Sequence, residues 1–225
     1  MRTTNWPRLA ALVCVTAIAA CASMKPAAPP AEWDGLERRE VNGLGAVYVR
    51  PNAQFPPYKS VMLDPVEISF SKDWDPNTSR EISRHLDAAD MQKIKDELAK
   101  LFRESFSDEL AKGGYSLTDT PSEDTMRVMA AIIDLYINAP DTMTAGRSRT
   151  YTTETGRMTL VMEIRDAPSG QVLARVVDAR AADSAGGSLT WSNSVTNRAD
   201  AEQILDRWAR HLKEGLDRLN GRTSK

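Results

Sequence analysis

Apolar residues recur along this chain in three patterns, and each pattern predicts a different kind of segment. From Met91 onward, Met91, Ile94, Leu98, Leu101, Phe102 and Leu110 follow three- and four-residue steps, which lays them on one stripe of a helix. Asp90 is placed to cap that helix and Gly113-Gly114 to stop it. Its other face pairs charges four residues apart, Lys93 with Glu97, Asp96 with Lys100 and Asp108 with Lys112, the mark of a solvated surface. A second helix closes the chain, its stripe formed by Ile204, Leu205, Trp208, Leu212, Leu216 and Leu219.

Between these helices the period changes to two. Met158, Leu160, Met162 and Ile164 alternate with Thr159, Val161, Glu163 and Arg165, and Pro168-Ser169-Gly170 supplies a turn before a return strand over 171–181. MRVMAAIIDLYIN, Met126 to Asn138, is apolar at both alternating sets, as a central strand requires when one face is covered and the other partly so. Ala46–Pro51 and Tyr58–Phe70 are also strand-like, and Pro65 makes the latter an edge strand or a bulged one. The simplest layering of these elements is an α/β fold of the α+β two-layer type. It has a mainly antiparallel sheet of about 4–5 strands with two long helices packed on one face.

Tracing chain direction through that layering brings three long polar connections to one rim. The strand ending at Phe70 leads into 71–89, the strand from Met126 runs parallel to it and ends at the same edge, and the hairpin returns there too. Connections longer than about 12–15 residues in a compact domain usually carry function or lack fixed structure. This rim would hold Trp74, Arg147, Arg149, Tyr151 and Trp191, residue types enriched where proteins bind partners. The alternative for Trp74 and Trp191 is that each folds back to cap the core. Trp208, on the helix stripe, is expected in the core, and Trp33 can tack down the N-terminus.

The third pattern is an unbroken run. LAALVCVTAIAA, Leu9 to Ala20, comes after Arg2 and Arg8 and is shorter than the roughly 20 residues needed to cross a bilayer. It ends in Ile18-Ala19-Ala20-Cys21, a tetrapeptide that resembles the lipobox of bacterial lipoproteins. The resemblance implies cleavage before Cys21, a diacylglycerol on its sulfur and an acylated amino group. An ordinary signal peptide cut at an A-x-A-like site is the alternative. The next segment favours the lipoprotein, because ASMKPAAPPAE has no face to bury and its prolines Pro26, Pro29 and Pro30 stiffen it. At roughly 3.1 Å per residue such a tether reaches about 30 Å. The organisation expected is a lipoprotein signal peptide over 1–20, a tether over 21–32 and one globular domain over 33–225.

Composition narrows this further. With Cys14 removed, Cys21 is the one cysteine left, so no intramolecular disulfide can staple the exported domain. Removing Arg2 and Arg8 from 29 basic residues leaves 27 against 31 acidic ones, a net charge of −4 with no basic stripe for nucleic acid. The residues after Cys21, Ala22 and Ser23, are not the aspartate that retains many lipoproteins at the inner membrane, which implies the outer membrane with the domain facing the periplasm. The inner membrane's outer leaflet and the soluble periplasm are the alternatives.

WDGLERRE, GAVYVRPNAQFPPYKSVMLDPVEISF and DAPSGQVLARVVD, in that order after the lipobox, resemble a family of bacterial lipoproteins known as domain of unknown function 3313. The likeness spans nearly all of the mature chain, and YKSVMLDPVEISF is its most specific part. It implies an envelope lipoprotein and brings neither an activity nor catalytic residues.

The inventory for catalysis is thin. No serine stands in a G-x-S-x-G elbow, and NGLGAVY lacks the third glycine of a dinucleotide fingerprint. His85 has Asp87 and Asp90 close in sequence, a pattern commoner for helix capping than for metal; His211 sits at the boundary of a helix stripe. Asp73 and Asp75 flank Trp74 without the Gly and Glu of a calcium loop. The expectation is a non-enzyme without cofactor or metal, anchored to the membrane through Cys21. It would serve as an accessory or scaffold subunit for an envelope protein partner. The alternative is a binding module for a small-molecule or glycan ligand on the aromatic rim.

Overall fold

The computed structural model describes residues 29–53, 55–75, 87–137, 151–152, 154–183, 190–191 and 194–222. In chain order these form β1 (Glu32–Trp33), β2 (Leu36–Arg39), β3 (Ala46–Val49), β4 (Ser60–Leu63), β5 (Glu67–Phe70), α1 (Ala88–Lys112), β6 (Ser116–Leu117), β7 (Thr125–Ile137), β8 (Tyr151–Thr152), β9 (Glu154–Asp166), β10 (Val172–Asp183), β11 (Thr190–Trp191) and α2 (Ser194–Leu219). Nine strands make one sheet in the order β1-β2-β3-β10-β9-β7-β4-β6, with β5 also on β7, and β8 pairs with β11 in a separate ribbon.

This sheet exceeds the expected 4–5 strands. The excess comes from β1, β2 and β6, which are two to four residues long and too short to show a period. It comes also from Pro65, which divides the Tyr58–Phe70 segment into β4 and β5, both parallel to β7 along one side. The pairings of β1 through β3 and of β10, β9 and β7 are antiparallel, so the sheet is mainly antiparallel with a parallel flank.

The core lies on one face of this sheet. Met126, Val128, Ala130 and Ile132 of β7 alternate inward, matched by Met158, Leu160 and Met162 of β9. After Ile132 the alternation shifts by one residue. Asp134 adopts φ 52°, the register slips between Ile133 and Tyr136, and the next inward residue is Leu135. This is a bulge, and it bends the central strand to follow the helices. Over this face lie α1 and α2, packed on each other, with α1 touching β5 and β6 and α2 touching β9 and β10. Leu101, Phe102, Phe106 and Leu110 of α1 meet Leu205, Trp208, Leu212 and Leu216 of α2 in the same apolar cluster.

Asp87, not Asp90, caps α1. Its carboxylate accepts from the backbone N–H groups of Ala89 and Asp90 at 2.8 and 2.9 Å, and Asp90 returns the bond from the third position of the helix. On the outer face, Leu36, Ala46 and Tyr48 form a small second cluster. Trp33 packs edge-on against Tyr48 at 5.6 Å, and the Arg175 guanidinium covers Trp33 at 4.7 Å while pairing with Glu163. The N-terminal strands are thereby tacked down on the sheet. No helix among the described residues is long and apolar enough to cross a membrane.

The one-sided layering has a mutational signature. Ile132 is fully buried and Met129 is 37% exposed on the opposite face. Ile132→Ala is expected to lower stability by about 2–5 kcal/mol and Met129→Ala by no more than about 0.5. Urea denaturation of the two variants side by side checks this, and equal losses would contradict the arrangement.

Candidate functional site

The chain trace brings Phe70, Ile137, Glu154 and Asp183 to one end of the sheet, as expected from sequence. Phe70 is in register with Leu135, Ile137 with Gly156, and Asp183 with Glu154. The side chains assigned to that rim divide. Trp74 takes the alternative, folded back over the core: it is buried, stacked on Phe70 at 4.2 Å, with its indole N–H donating to the Ile137 carbonyl at 2.9 Å. A tryptophan shortly beyond the end of a strand can satisfy its N–H and hide its ring by folding back over the sheet end, and here it does. Tyr151 and Trp191 lie opposite each other in the β8–β11 ribbon, whose strands precede β9 and follow β10 in the chain. Arg147, Arg149, His85 and the proposed lipid site Cys21 lie outside the described residues. Among the described residues, no three His, Cys, Asp or Glu side chains gather in a metal-ligating group.

A different site lies elsewhere in the domain. Beneath the C-terminal half of α2 is an apolar cavity of about 220 Å³, between the helix and strands β3, β9 and β10. Its floor includes Leu160, Met162 and Val176, its roof Leu212 and Leu216, and its side wall Val41, Leu44 and Phe55 from the loops after β2 and β3. The space exists because two facing positions are small. Gly215 on α2 and Ala174 on β10 both line it, and a Cβ added at Gly215 would meet nothing within 4 Å. The cavity opens past His211 and Arg218 into a polar vestibule also lined by Glu40, Asn42 and Glu214.

The wall is held by a chain of polar contacts. Trp208 donates its indole N–H to Asp178 Oδ2 at 2.7 Å, Arg180 pairs with the same oxygen at 2.6 Å, and Arg180 Nη2 donates to the Gly43 carbonyl. Gly43 has φ +82°, and a side chain there would meet His211 Nε2 at 2.9 Å, so the turn after β2 lies directly against the histidine ring. On its other side His211 Nδ1 stands 3.6 Å from the Glu214 carboxylate.

The end of α2 is anchored separately. Asp217 accepts from the Tyr115 hydroxyl at 2.8 Å and from Lys213 Nζ at 2.9 Å, and the Asn220 side-chain amide donates to the Tyr58 carbonyl at 2.8 Å. Burial works to raise the Asp217 carboxyl, but the bonds from Lys213 and Tyr115 and the charges of Lys213 and Arg222 outweigh it, holding the group below its ordinary 3.8. Burial, then the Asp166 carboxylate, push the Tyr58 phenol far above its ordinary range, so it stays neutral.

Sequence reasoning misses this cavity. The available signal is Gly215, a glycine inside the apolar stripe of an otherwise strong helix, where it costs about 1 kcal/mol relative to alanine.

A family model described as "Protein of unknown function (DUF3313)" matches residues 29–212. No curated protein matches the chain. Among solved structures, the chain is similar to the PelC dodecamer from Paraburkholderia phytofirmans, with 10% identity, a TM-score of 0.38, and coverage of 74% of this chain and 96% of that one. It is similar also to the minor lipoprotein from Acinetobacter baumannii, with 12% identity, a TM-score of 0.33, and coverage of 70% and 94%. At these scores neither likeness bears on what this chain does.

Two outcomes test the geometry. Gly215→Leu fills open space and removes a helix glycine, so it is expected to raise stability by about 1–2 kcal/mol, read as a higher urea midpoint. Loss of stability would mean that the cavity is too shallow to take a side chain. For Asp217, a carboxyl depressed in the fold contributes stability above its unfolded value, and that stability is lost as pH falls through the folded value. Stability is therefore expected to decline on acidification below about pH 4. Asp217→Asn should flatten that decline without abolishing it, because Asp166 and Glu163 are depressed as well.

Proposed function

The chain belongs to the DUF3313 family of proteins of unknown function, and from that premise, which names no activity, we propose a lipid-anchored envelope protein whose domain binds a small apolar ligand without catalysing a reaction. The observation that carries the binding reading is the cavity beneath α2. The pocket, about 220 Å³ and open at one end, presents a nearly continuous apolar lining that a small apolar ligand would cover. Its walls offer packing surface and no serine, threonine, cysteine or lysine, which suits retention of a ligand rather than its conversion.

The anchor reading rests on Ile18-Ala19-Ala20-Cys21 and on the segment after it. Ala22 to Ala31 separate Cys21 from β1 at Glu32, and their composition suits a stiff spacer between headgroups and domain. Two or three acyl chains on Cys21 would hold the protein firmly, where one would not. With Ala22 and Ser23 next to it, the outer membrane facing the periplasm is the proposed location.

A second reading, an accessory or scaffold subunit for an envelope protein partner, is favoured by the β8–β11 ribbon. It sets Tyr151 and Trp191 in register, with β8 close before β9 in the chain.

Metabolic labelling with radioactive palmitate tests the anchor. The wild-type chain is expected to incorporate label and to fractionate with membranes, and Cys21→Ala to lose both properties. Labelling that survives this substitution would overturn the assignment of Cys21.

A further inference from the structure

The order of charges at the cavity mouth carries the binding reading one step further, to a class of ligand. Three residues border both the apolar cavity and the vestibule: Val41, His211 and Arg218. The neck between the two spaces is therefore basic. Arg218 is exposed, and its side chain makes no hydrogen bond or ion pair among the described residues. The acidic groups come next, since Glu40 and Glu214 border the vestibule and not the cavity. The linings thus run from apolar residues in the cavity, through Arg218 and His211 shared by both spaces, to Glu40 and Glu214 on the vestibule alone.

We propose that this site takes a single-chain zwitterionic amphiphile of lysophospholipid type. Its acyl chain lies in the cavity, its phosphate at Arg218 and its ammonium group toward Glu40 and Glu214. Volume selects one chain rather than two: 220 Å³ exceeds the roughly 150 Å³ apolar cavity that accepts benzene, and falls below the about 300–1,000 Å³ of drug-sized pockets. Charge order selects the head group. In a phospholipid the phosphate is the charge nearest the chain and the ammonium lies beyond it, the sequence that the neck and vestibule complement. A fatty acid would satisfy Arg218 and leave Glu40 and Glu214 facing an anion. A cationic amphiphile would place its charge at Arg218. His211 contributes the edge of its ring, with Nε2 against the turn at Gly43 and Nδ1 toward Glu214.

This inference rests on the cavity being a binding site, and the experiment separates the two. The full chain, held in nanodiscs, is photolabelled with a dodecylphosphocholine bearing a diazirine on its chain, and the labelled peptides are mapped by mass spectrometry. Unlabelled dodecylphosphocholine and dodecyl sulfobetaine then compete, both below their micelle concentrations. The two have the same chain and net charge, but the sulfobetaine carries its ammonium inside and its anion outside. The expected result is labelling of peptides containing Met162 and Leu212, loss of that labelling in Gly215→Leu, and about tenfold better competition by the phosphocholine. In Arg218→Glu that preference is expected to vanish or invert. Equal competition by the two head groups, or a preference unchanged in Arg218→Glu, would overturn the charge-order proposal while leaving the cavity as a binding site. Labelling elsewhere, or labelling indifferent to Gly215→Leu, would overturn both.

Discussion

The carboxylate of Asp178 organises the half of this domain that holds the apolar cavity. It sits on β10 facing α2, 3% exposed, where an unpaired charge would be costly. The cost is met on both sides by Trp208 from the helix and Arg180 from the same strand. That arrangement has two mechanical consequences. A fully buried tryptophan, pinned by its N–H, sets the height of α2 above the sheet near the helix middle. Arg180, pinned by Asp178, holds the Gly43 carbonyl and with it the turn that brings Val41 and Leu44 to the cavity wall.

With the height set at Trp208, the C-terminal half of α2 can close on the sheet only as far as its side chains fill the gap. Gly215 and Ala174 do not fill it. The helix is also unable to tilt inward at its end, because Asp217, Tyr115 and Asn220 tie its last turn to the end of α1 and to the segment before β4. The cavity is thus a consequence of two fixed supports with small residues between them. Gly45 adds to the rigidity of the wall, since a Cβ there would lie 2.7 Å from the Val177 carbonyl.

The two ends of the sheet do different things. At one end β5, β7 and β10 finish and β9 begins, and Trp74 closes the core there by stacking on Phe70 and bonding to Ile137. At the other, the hairpin between β9 and β10 turns tightly, with Gly170 donating to the Asp166 carbonyl at 2.8 Å, and α2 stands over a gap. A ligand in the cavity and a protein at the β8–β11 ribbon would occupy separate regions, so the two readings are not in competition for the same surface.

Local periodicity made much of this fold legible. The stripes of α1 and α2, the alternation of β9 and the doubly apolar β7 each arise from geometry within one element, and burial of those residues is what the pattern encodes. Pro65 announced an interrupted strand because a missing N–H has only local causes. The tether and lipid anchor proposed for 21–32 rest on adjacent residues alone. Other features depend on partners far apart in sequence. The fate of Trp74 turned on a carbonyl sixty-three residues away, and β1, β2 and β6 are strands only because neighbours offer them hydrogen bonds. The cavity is the extreme case. By itself the sequence determined which residues would be apolar and which faces they would form. Whether those faces meet or leave a space was decided only when Trp208, Asp178 and Asp217 set the distance between helix and sheet, because a void is a property of two surfaces and belongs to neither.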